Sequence, residues 1–426
     1  MNRRNFIAAA AAAQHLVAAS DKVNLAIIGI RGQGRHLAGS FAKLPDVNIV
    51  HLCDVDERVY ANCAKAVELN SGRPAAKLVK DLRRVLDDKG VDAVAIATPD
   101  HWHAPATILA CAAGKDVYVE KPPSHNIREG RAMVKAARQH QRIVTVGTHS
   151  RSRPSTIQAI DFIRSGKIGR VLMAKAWDVQ LRDEIGHRPD SPTPPLVDYD
   201  TWTGPAALMP FNENRFHYKW HWNWNYGTGD IGNDGAHQID IARWALGVDY
   251  PRAVAGSARK IFFNDDQMTP DTMNMTFDYP QHQLIWEMRI WNPYGLEGQE
   301  NGVAVYGTGG SVQIGRWRRF TQANEWGFRV YDPKGKLVQE EYDPVDVADS
   351  SHHHRNFIAC VKSRQKPNAE IENLHATNTL LHLGNIVART GRNLKYDAVT
   401  ESIPGDSAAH ALLGRQYRPH WSTPKV

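Results

Sequence analysis

The amino-acid sequence predicts an α/β protein in which a doubly wound parallel sheet is followed by an α+β domain with an open, mainly antiparallel sheet. Short β-rich runs alternate with helical patterns between Val23 and about Gly147, and a glycine-rich turn follows the first run. After about Arg151 the strands mostly succeed one another. The first pattern is typical of parallel sheets and the second of antiparallel ones. A chain of 426 residues also exceeds one ordinary core, so two domains are expected.

The first twenty residues have the layout of a twin-arginine export signal. Arg3 and Arg4 precede a weakly apolar, alanine-rich segment, and small residues follow at 18–20. This order is typical of the twin-arginine route, with cleavage near residues 19–20. The alternative is an amphipathic N-terminal helix. We therefore expect a periplasmic or otherwise exported protein.

The composition is that of a globular protein and favours neither nucleic-acid binding nor a membrane span. Apolar residues make up 42% of the chain and charged residues 23%. No apolar run approaches the roughly 20 residues that span a bilayer. Without Arg3 and Arg4, 50 basic residues face 45 acidic ones, and this small excess forms no basic block. The cysteines lack paired or metal-type spacing, and we expect buried free thiols at Cys53, Cys63, Cys111 and Cys360.

Six β-rich runs separated by helical patterns predict the parallel sheet of the first domain. Ligands of such sheets bind at the carboxyl ends of the strands. The predicted strands are VNLAII, VNIVHL, AKLVK, VDAVAIA, DVYVE and RIVTVG. The predicted helices are RHLAGSFAKL, ERVYANCAKAVELN, DLRRVLDD, APATILACAAG and REGRAMVKAARQH.

The segment GIRGQG follows the first strand and opens a helix, which is the position of a Rossmann dinucleotide-binding turn. Glycines there let the backbone approach a pyrophosphate that lies on the helix N-terminus. The match to GxGxxG is imperfect, because Arg31 stands at the middle glycine and Gly32 follows it. We expect the nucleotide to be bound by Gly29, Arg31, Gly32 and Gly34.

Asp54 ends the second strand, where a carboxylate can accept a hydrogen bond from a ribose hydroxyl. Its charge repels a 2′-phosphate, which favours NAD over NADP as the cofactor. Arg31 and Arg35 offset part of that repulsion, so NADP stays open. A second interpretation of Asp54, as a cap for the helix that begins near Asp56, also stays open.

Two further strand ends carry unusual residues. Thr98, Pro99 and His103 follow the fourth strand, and Glu120 and Lys121 follow the fifth. These ends share one edge of the sheet, so we expect the residues to surround the cofactor. Lys121 is predicted to place its ammonium beside the nicotinamide, where a substrate hydroxyl binds. The Pro-Pro pair after it fixes the backbone and permits a cis bond.

The second domain is predicted to hold an open antiparallel sheet with helices on one side. DPKGK is expected to form a hairpin turn, the chain from His352 to about Leu394 is mostly helical, and the tail GRQYRPHW packs back on the body. The predicted helices are STIQAIDFIRSG and DGAHQIDIARWAL, and the predicted β-runs are RVLMAKAWDVQ, AVAGSARKIFF, MNMTFDY, QLIWEMRIW, GVAVYGTGGSVQIG and FRVYDPKGKLVQEEY.

The stretch WHWNWNYGTGDIGNDGAHQID at residues 220–240 carries the polar and aromatic groups of a candidate site. As a strand, its start would place three indoles on one face and hydrogen-bonding side chains on the other. Aromatic faces beside amides suit a sugar or polyol, so Trp222, Trp224 and Tyr226 are predicted to bind substrate. A packed aromatic face of a sheet is the alternative for any single Trp.

These motifs resemble the Gfo/Idh/MocA family of NAD(P)-dependent oxidoreductases. The resemblance rests on the glycine loop, on CDVDE, on TPDHWHAPATILACAAGKDVYVEKP and on a later Gly-x-His segment, and it covers nearly the whole chain after residue 22. It implies a dinucleotide-binding Rossmann domain at 21–150 and a substrate and oligomerisation domain at 151–400. The tail then spans 401–426, and the sheet of the second domain is expected to mediate a homo-oligomer.

In the resembled family the later segment reads Asp-x-Gly-x-His. Gly235 and His237 match it, whereas Asn233 stands at the Asp position. An amide holds a hydroxyl but cannot take its proton, so the base is His237, Lys121 or a group from elsewhere. We expect His237 to be the base and Asp240, one turn later, to orient its imidazole.

Together these features predict hydride transfer between tightly bound NAD and a sugar or polyol hydroxyl held by Lys121, Asn233 and His237. A redox-neutral, NAD-dependent glycoside hydrolase or lyase that acts through a transient keto-sugar stays open, as does a catalytically inactive binding protein. No metal is expected, because the consecutive histidines at 352–354 cannot all face one ion. A solvated helix start is the preferred interpretation of those histidines.

Overall fold

The computed structural model describes residues 22–73, 76–292, 295–296, 298–318, 324–344 and 350–421. The predicted signal at 1–20 lies outside them. Within this part of the chain, no helix has the length and apolar character of a membrane span. The four cysteines are buried and unpaired, which confirms the expectation of free thiols.

The first domain is a six-stranded parallel sheet, as predicted, and its strand order is β3-β2-β1-β4-β5-β6. The central strands β1, β4 and β5 are almost wholly buried, because helices cover both faces. The strands are β1 Val23–Ile28, β2 Val47–Cys53, β3 Lys77–Val79, β4 Ala93–Ile96, β5 Asp116–Val119 and β6 Val144–Val146. The helices are α1 Gly32–Ala42, α2 Tyr60–Ser71, α3 Leu82–Asp87, α4 Asp100–Ala112 and α5 Ile127–Gln139.

Helix α4 begins earlier than predicted, directly after Pro99, and carries Pro105 inside it. A proline has no N–H, so the carbonyl one turn earlier, that of His101, loses its helical donor. Arg415 supplies the replacement by donating from Nη2 to this carbonyl oxygen at 2.6 Å. This hydrogen bond attaches the C-terminal tail to the first domain, as predicted for the tail.

The second domain holds a nine-stranded sheet in the order β14-β13-β12-β11-β7-β10-β9-β8-β15. Among the strand pairs described for this sheet, only β7–β10 is parallel. This confirms the prediction of a mainly antiparallel sheet. GVAVYGTGGSVQIG forms two strands joined at Gly307–Gly310, and DPKGK forms a hairpin turn. The strands are β7 Val171–Val179, β8 Ala253–Arg259, β9 Thr272–Asp278, β10 Gln283–Arg289, β11 Asn301–Gly307, β12 Gly310–Arg318, β13 Asn324–Tyr331, β14 Leu337–Tyr342 and β15 Leu394–Lys395.

Helices cover one face of this sheet and bury its alternating apolar residues, among them Met275, Phe277 and Trp286. The helices are α6 Pro154–Arg164, α7 Tyr199–Thr203, α8 Gly229–Asn233, α9 Gly235–Leu246, α10 Ser351–Ser363, α11 Ile371–Thr390 and α12 Ser407–Ala411. Helices α10 and α11 also reach the first domain, where Phe357 and Leu374 join its core.

The solvated helix start expected for the consecutive histidines is wrong for two of them. His353 and His354, in the first turn of α10, are buried. The His353 ring lies 2.8 Å from both the Ser152 hydroxyl and the Val146 carbonyl oxygen, and His354 packs on Phe41. Helix α10 docks on the first domain through this end, which is why these side chains are enclosed.

Candidate active site

A cavity of about 550 Å³ lies at the carboxyl ends of the first-domain strands, between the two domains. The glycine loop and the ends of β2, β4 and β5 form one wall. The other wall comes from the second domain, between residues 201 and 237. This edge is where parallel α/β sheets bind ligands.

The glycines of the loop serve two different purposes. Gly29 has a φ of +79°, and a Cβ there would lie 2.7 Å from the backbone of Ala97. A Cβ at Gly34 would overlap the carbonyl oxygen of Gly29. Gly32 has open space around it and lines the cavity. Two glycines thus pack the loop tightly, and the third leaves its backbone accessible to a ligand.

The N-terminus of α1 is open to an anion. Arg31 is its N-cap residue, but it makes no side-chain capping hydrogen bond, and the first turn of this described helix carries no acidic residue. The first N–H groups of a helix lack intrahelical acceptors and carry the positive end of the helix dipole. A pyrophosphate fits these donors.

Asp54 lies in the cavity at the end of β2. Its carboxylate accepts hydrogen bonds from the N–H groups of Ile30 at 2.8 Å and Asp56 at 2.9 Å. Burial raises the pKa of Asp54 to about 6. The side chain therefore orders the glycine loop and still faces the space for a ribose. The helical turn near residue 57 is capped by Asp56 instead.

Arg35 is exposed and is missing from the described residues that line the cavity, contrary to the prediction that it faces the nucleotide. The reason is that Arg31, four residues earlier, precedes the helix in an extended conformation. Arg35 lies one turn further into α1, where its N–H donates to the Arg31 carbonyl oxygen and its side chain is exposed. Arg31 does line the cavity.

Thr98, Pro99, His103 and Glu120 all line the cavity. The ring nitrogens of His103 lie 2.7 Å from the Pro122 carbonyl oxygen and 2.8 Å from that of Thr98, and burial lowers the pKa of this imidazole to about 4. Glu120 accepts from Gln33 Nε2 at 2.8 Å. These contacts join the ends of β4 and β5 to each other and to α1.

Lys121 and Asn233 are in direct contact across the domain boundary. The peptide bond between Lys121 and Pro122 is cis. The Lys121 Nζ donates to Asn233 Oδ1 at 2.7 Å and to the Asn233 carbonyl oxygen at 2.8 Å. Asn233 Nδ2 in turn donates to Asp230 Oδ1 at 3.0 Å. Both Lys121 and Asn233 line the cavity.

Two imidazoles face the same end of the cavity. His237 and His149 are half-buried cavity residues whose ring centroids lie 4.8 Å apart. Burial, followed by the charge of Lys121, lowers the pKa of His237, and burial followed by His237 lowers that of His149. Both rings are therefore neutral near pH 7 and able to accept a proton.

The predicted contact between Asp240 and His237 is wrong. The Asp240 carboxylate is fully buried and binds Arg151 in a bidentate pair at 2.7 and 2.8 Å. It also accepts from Thr377 Oγ1 at 2.6 Å. A buried charge needs its own counterion, and the guanidinium meets that need better than an imidazole.

The strand predicted at residues 220–225 is also wrong. His217–Trp222 forms a 3₁₀ helix, and the chain then turns back on itself. The turn brings residue 227 so close to the backbone of His221 that only a glycine fits there, since a Cβ would lie 2.6 Å from the His221 carbonyl oxygen. The alternating faces are lost with the strand. Trp222 and Tyr226 are buried, and Trp224 lies beside Arg389. Among the described cavity residues these three are missing, and Trp202, Tyr218, Trp220 and His221 stand in their place.

Residues 196–202, here called the strap, cross from the second domain to the first beside Asp54. Val197 forms a β-bridge with Asp56, and the Asp198 N–H donates to the Val55 carbonyl oxygen at 2.9 Å. Further along, the Trp202 carbonyl oxygen accepts from Trp102 Nε1 at 3.0 Å. The strap contributes its last two residues to the cavity wall.

An acidic group lies behind Asn233. Asp178, Asp230 and Asp234 present oxygens within 4.8 Å of one another, a spacing that a cation can bridge. The Arg182 guanidinium lies among them and pairs with Asp230 and Asp234. Burial raises the pKa of Asp178 well above its usual value, and the neighbouring carboxylates add to this effect. The cation that compensates these carboxylates is therefore the Arg182 guanidinium.

Sequence reasoning missed His149 and two aromatic residues of the cavity wall, Trp202 and Tyr218. His149 follows β6, so the strand-end rule applied to β4 and β5 would have found it. No comparable sequence signal marks Trp202 or Tyr218, which reach the cavity from a long irregular segment.

Comparison with known proteins agrees with this geometry. Residues 23–148 match the model of an oxidoreductase family with an NAD-binding Rossmann fold. Residues 176–277 and 336–423 match the C-terminal alpha/beta domain of the same oxidoreductase family. Together the matches span most of the chain.

Among curated relatives, levoglucosan dehydrogenase of Pseudarthrobacter phenanthrenivorans is 29% identical over 167 residues, which cover 39% of this chain and 36% of the relative. A glycosyl hydrolase family 109 protein of Stenotrophomonas maltophilia is 38% identical over 138 residues, covering 28% and 29%. These matches thus span about a third of the relatives' length.

A solved structure of levoglucosan dehydrogenase in complex with NADH has the same fold, with a TM-score of 0.67 and 16% identity over 88% of this chain and 99% of that one. The two family matches, the glycine loop and the open helix terminus lead to one conclusion. The chain belongs to the Gfo/Idh/MocA oxidoreductase family, and its first domain is an NAD-binding Rossmann domain.

Proposed function

We propose that the protein interconverts a carbinol and a carbonyl group of a carbohydrate or polyol by hydride transfer, with NAD as its cofactor. The observation that carries this proposal is the meeting of Lys121, Asn233 and His237 at one end of the cavity that begins at the glycine loop. When bound, NAD supplies the hydride acceptor or donor for the carbinol carbon. The glycine loop, the α1 N-terminus and Asp54 would hold it.

The chain's own residues manage the proton and the oxygen. The Lys121 ammonium has three hydrogens, of which two face Asn233 oxygens. The third is available to the substrate oxygen, where it stabilises negative charge as the O–H bond breaks. His237, kept neutral by burial and by Lys121, accepts the hydroxyl proton.

The carbohydrate class is proposed from the wall of the cavity. Trp202, Tyr218 and Trp220 supply aromatic faces, and His221 and Asn233 supply hydrogen-bonding groups. Sugar rings present both C–H faces and hydroxyls. The relatives named levoglucosan dehydrogenase and glycosyl hydrolase act on such molecules by name.

The test is a panel of sugars and polyols added to the protein as purified, without added nucleotide. We expect at least one to change the absorbance of the bound nicotinamide, and mass spectrometry to identify near-stoichiometric NAD(H). Protein that purifies without nucleotide and binds NAD only at micromolar strength would contradict tight retention.

The redox-neutral alternative is favoured by one observation, the second imidazole. Net oxidation needs one base, whereas elimination next to an oxidised carbon needs groups for two proton transfers, and His149 lies beside His237. Aryl glycosides distinguish the two reactions. Aglycone release without net nicotinamide reduction indicates the glycosidase, and net reduction without release indicates the dehydrogenase.

We also propose that the protein is exported in folded form with its cofactor bound. The basis is the Arg3-Arg4 segment and the strap, which lies across the nucleotide end of the cavity. In cell fractionation, the full chain should be periplasmic, and a variant with Arg3→Lys and Arg4→Lys should stay in the cytoplasm. The same location for both would contradict export by this route.

A homo-oligomer through the second-domain sheet is proposed as well. On the side away from the helices, Trp177, Val179 and Ala304 form a small apolar cluster with Leu296 and Tyr306 packed against it. The three core residues of this cluster are fully buried, so it is the partly exposed Leu296 and Tyr306 that would offer a second copy an apolar contact. Light scattering during gel filtration should give a multiple of the monomer mass, which is 47.6 kDa for the uncleaved chain. A monomer across micromolar concentrations would contradict the proposal.

A further inference from the structure

Asn233 contacts Lys121 through an amide, and an amide has two chemically different ends. The carbonyl end accepts hydrogen bonds, and the NH₂ end only donates them. Lys121 Nζ, itself only a donor, lies 2.7 Å from the Asn233 oxygen. If the amide turned over, two donors would face each other and the contact would become repulsive.

The other end of the amide is fixed by Asp230. Asn233 Nδ2 donates to Asp230 Oδ1 at 3.0 Å, so the turned amide would also place its oxygen against a carboxylate. Asp230 is buried, and both of its oxygens also accept hydrogen bonds from the Arg182 guanidinium at 3.1 Å. A continuous series of hydrogen bonds therefore runs from the Arg182 cation to the Asp230 carboxylate, then to the NH₂ group of Asn233, and from the Asn233 oxygen to the Lys121 cation.

We propose that Asp230 is a positioning residue that fixes the Asn233 amide with its oxygen toward the Lys121 ammonium. The inference rests on the proposed role of Lys121. It explains how an amide serves where the family motif has a carboxylate. A carboxylate accepts from either oxygen and needs no orientation, whereas an amide needs a neighbour that selects one of its two orientations.

The test measures how fast acetic anhydride modifies Lys121, followed by peptide mass spectrometry on the full chain as purified. It needs neither a sugar substrate nor turnover. We expect Asp230→Asn to raise the labelling rate about tenfold, because the freed amide loses a hydrogen bond to a charged group. Circular dichroism and thermal melting check that the variant is folded.

Two controls separate orientation from charge. Asp234→Asn removes a carboxylate that pairs with Arg182 and whose charge acts on Lys121, but that makes no hydrogen bond to the Asn233 amide among the contacts of the described residues. It therefore measures the effect of lost charge alone and should raise labelling clearly less than Asp230→Asn does. In an Asn233→Asp background, Asp230→Asn should have less than about a twofold effect, because the direct carboxylate needs no positioning.

Equal effects of Asp230→Asn and Asp234→Asn, or equal effects in both backgrounds, would overturn the proposal and leave Asp230 as a source of charge only. If Asp230→Asn fails to fold because Arg182 is left unpaired, Arg182→Gln combined with Asp230→Asn removes both charges. That pair must raise Lys121 labelling in the native background and leave it unchanged beside Asn233→Asp. A failure of the proposed redox function would appear in the sugar panel and leave these labelling rates unaffected.

Discussion

Lys121 shows how one side chain acquires a role from its place at a strand end. It follows β5, and its Nζ crosses the domain boundary to two oxygens of Asn233. Both hydrogen-bond partners of the ammonium are neutral oxygens of the second domain.

Replacing Lys121 with Ala should lower turnover by about 10²–10⁴, since one positioned proton-transfer or charge-stabilising group is lost. Nucleotide content should stay the same, because the glycine loop is untouched. Single-turnover reduction of the bound nicotinamide and mass spectrometry measure the two quantities. Lys65→Ala, on the exposed side of α2, is the matched control. Turnover within about threefold of the parent would exclude the assigned role.

His237 should set the acidic side of the pH–rate profile. Its lowered pKa means that the imidazole stays neutral, and able to accept a proton, well below the usual histidine range. Activity should therefore be nearly constant from neutral pH to about pH 6 and fall only in more acidic solution. His237→Gln should remove that acidic limb together with most of the rate, whereas His149→Gln should retain the limb. An unchanged limb in His237→Gln would assign the base to another group.

Asp54 should discriminate between nucleotides. Asp54→Ala removes an acceptor for the ribose hydroxyl, a charge that repels a 2′-phosphate, and the two hydrogen bonds that order the loop. We expect NAD affinity to fall about 10- to 100-fold and NADP affinity to fall less. Calorimetry on nucleotide-stripped protein measures both, and Asp54→Asn, which keeps a carbonyl acceptor, is the intermediate control. An equal loss for both nucleotides would mean that Asp54 acts only on the loop.

At the scale of elements, the strap links the cofactor end of the first domain to the second domain. Its anchor is Trp202, which packs against His101, Phe216 and Tyr226 and lines the cavity. We expect a nucleotide that leaves past this wall to displace the strap, because Thr201 and Trp202 line the cavity. We therefore expect retention of the cofactor to depend on how tightly Trp202 of the strap packs against its aromatic neighbours.

Trp202→Ala should lower the nucleotide content of the purified protein and speed nucleotide dissociation by about tenfold or more, because removal of a buried indole costs several kcal/mol of local packing. Chromatography of released nucleotide and loss of its bound fluorescence measure the effect. Trp421→Ala is a suitable control, since Trp421 packs on Trp102 but is not a cavity residue in the described wall. Equal retention in both variants would show that the strap does not hold the cofactor.

For the whole molecule, buried histidines make stability sensitive to acid. Burial lowers the pKa of four fully enclosed imidazoles to about 3–4, those of His101, His103, His353 and His382. Below about pH 6.5 the unfolded chain protonates these groups and the folded chain does not, so stability falls as the pH falls. Buried carboxyls with raised pKa values, such as Asp54 at about 6 and Asp100 at about 7, take up protons in the folded state and oppose the trend.

Ten histidines of the described chain have lowered pKa values, whereas five carboxyls have raised ones. Because the histidines are more numerous, the melting temperature should drop by several degrees between pH 7 and about pH 5. Differential scanning fluorimetry at constant ionic strength measures it, and His382→Gln should reduce the slope. A melting temperature that rises on acidification would mean that the buried carboxyls dominate.

Local sequence determined the two-domain α/β architecture, the six parallel strands and the positions of the glycine loop, Asp54 and Lys121. These features depend on short-range patterns: periodic burial, glycine at special backbone angles, and the rule that ligands bind at strand carboxyl ends. The carboxyl ends of parallel strands meet at one edge of the sheet whatever conformation the loops adopt, so the sequence is sufficient to place Lys121 at that edge.

Only the tertiary structure determined which side chains pair with one another and which conformation the Trp-rich segment adopts. Asp240 pairs with Arg151 rather than His237, the Trp-rich segment forms a 3₁₀ helix rather than a strand, and Asp230 fixes the amide of Asn233. The first outcome depends on a contact between residues that are 89 positions apart, Arg151 and Asp240. The Asn233 amide lies only three positions from Asp230, but its orientation also depends on Lys121, which is 112 positions away. A buried charge or amide is satisfied by whichever group the packed chain brings within hydrogen-bond distance, and no local pattern carries that information.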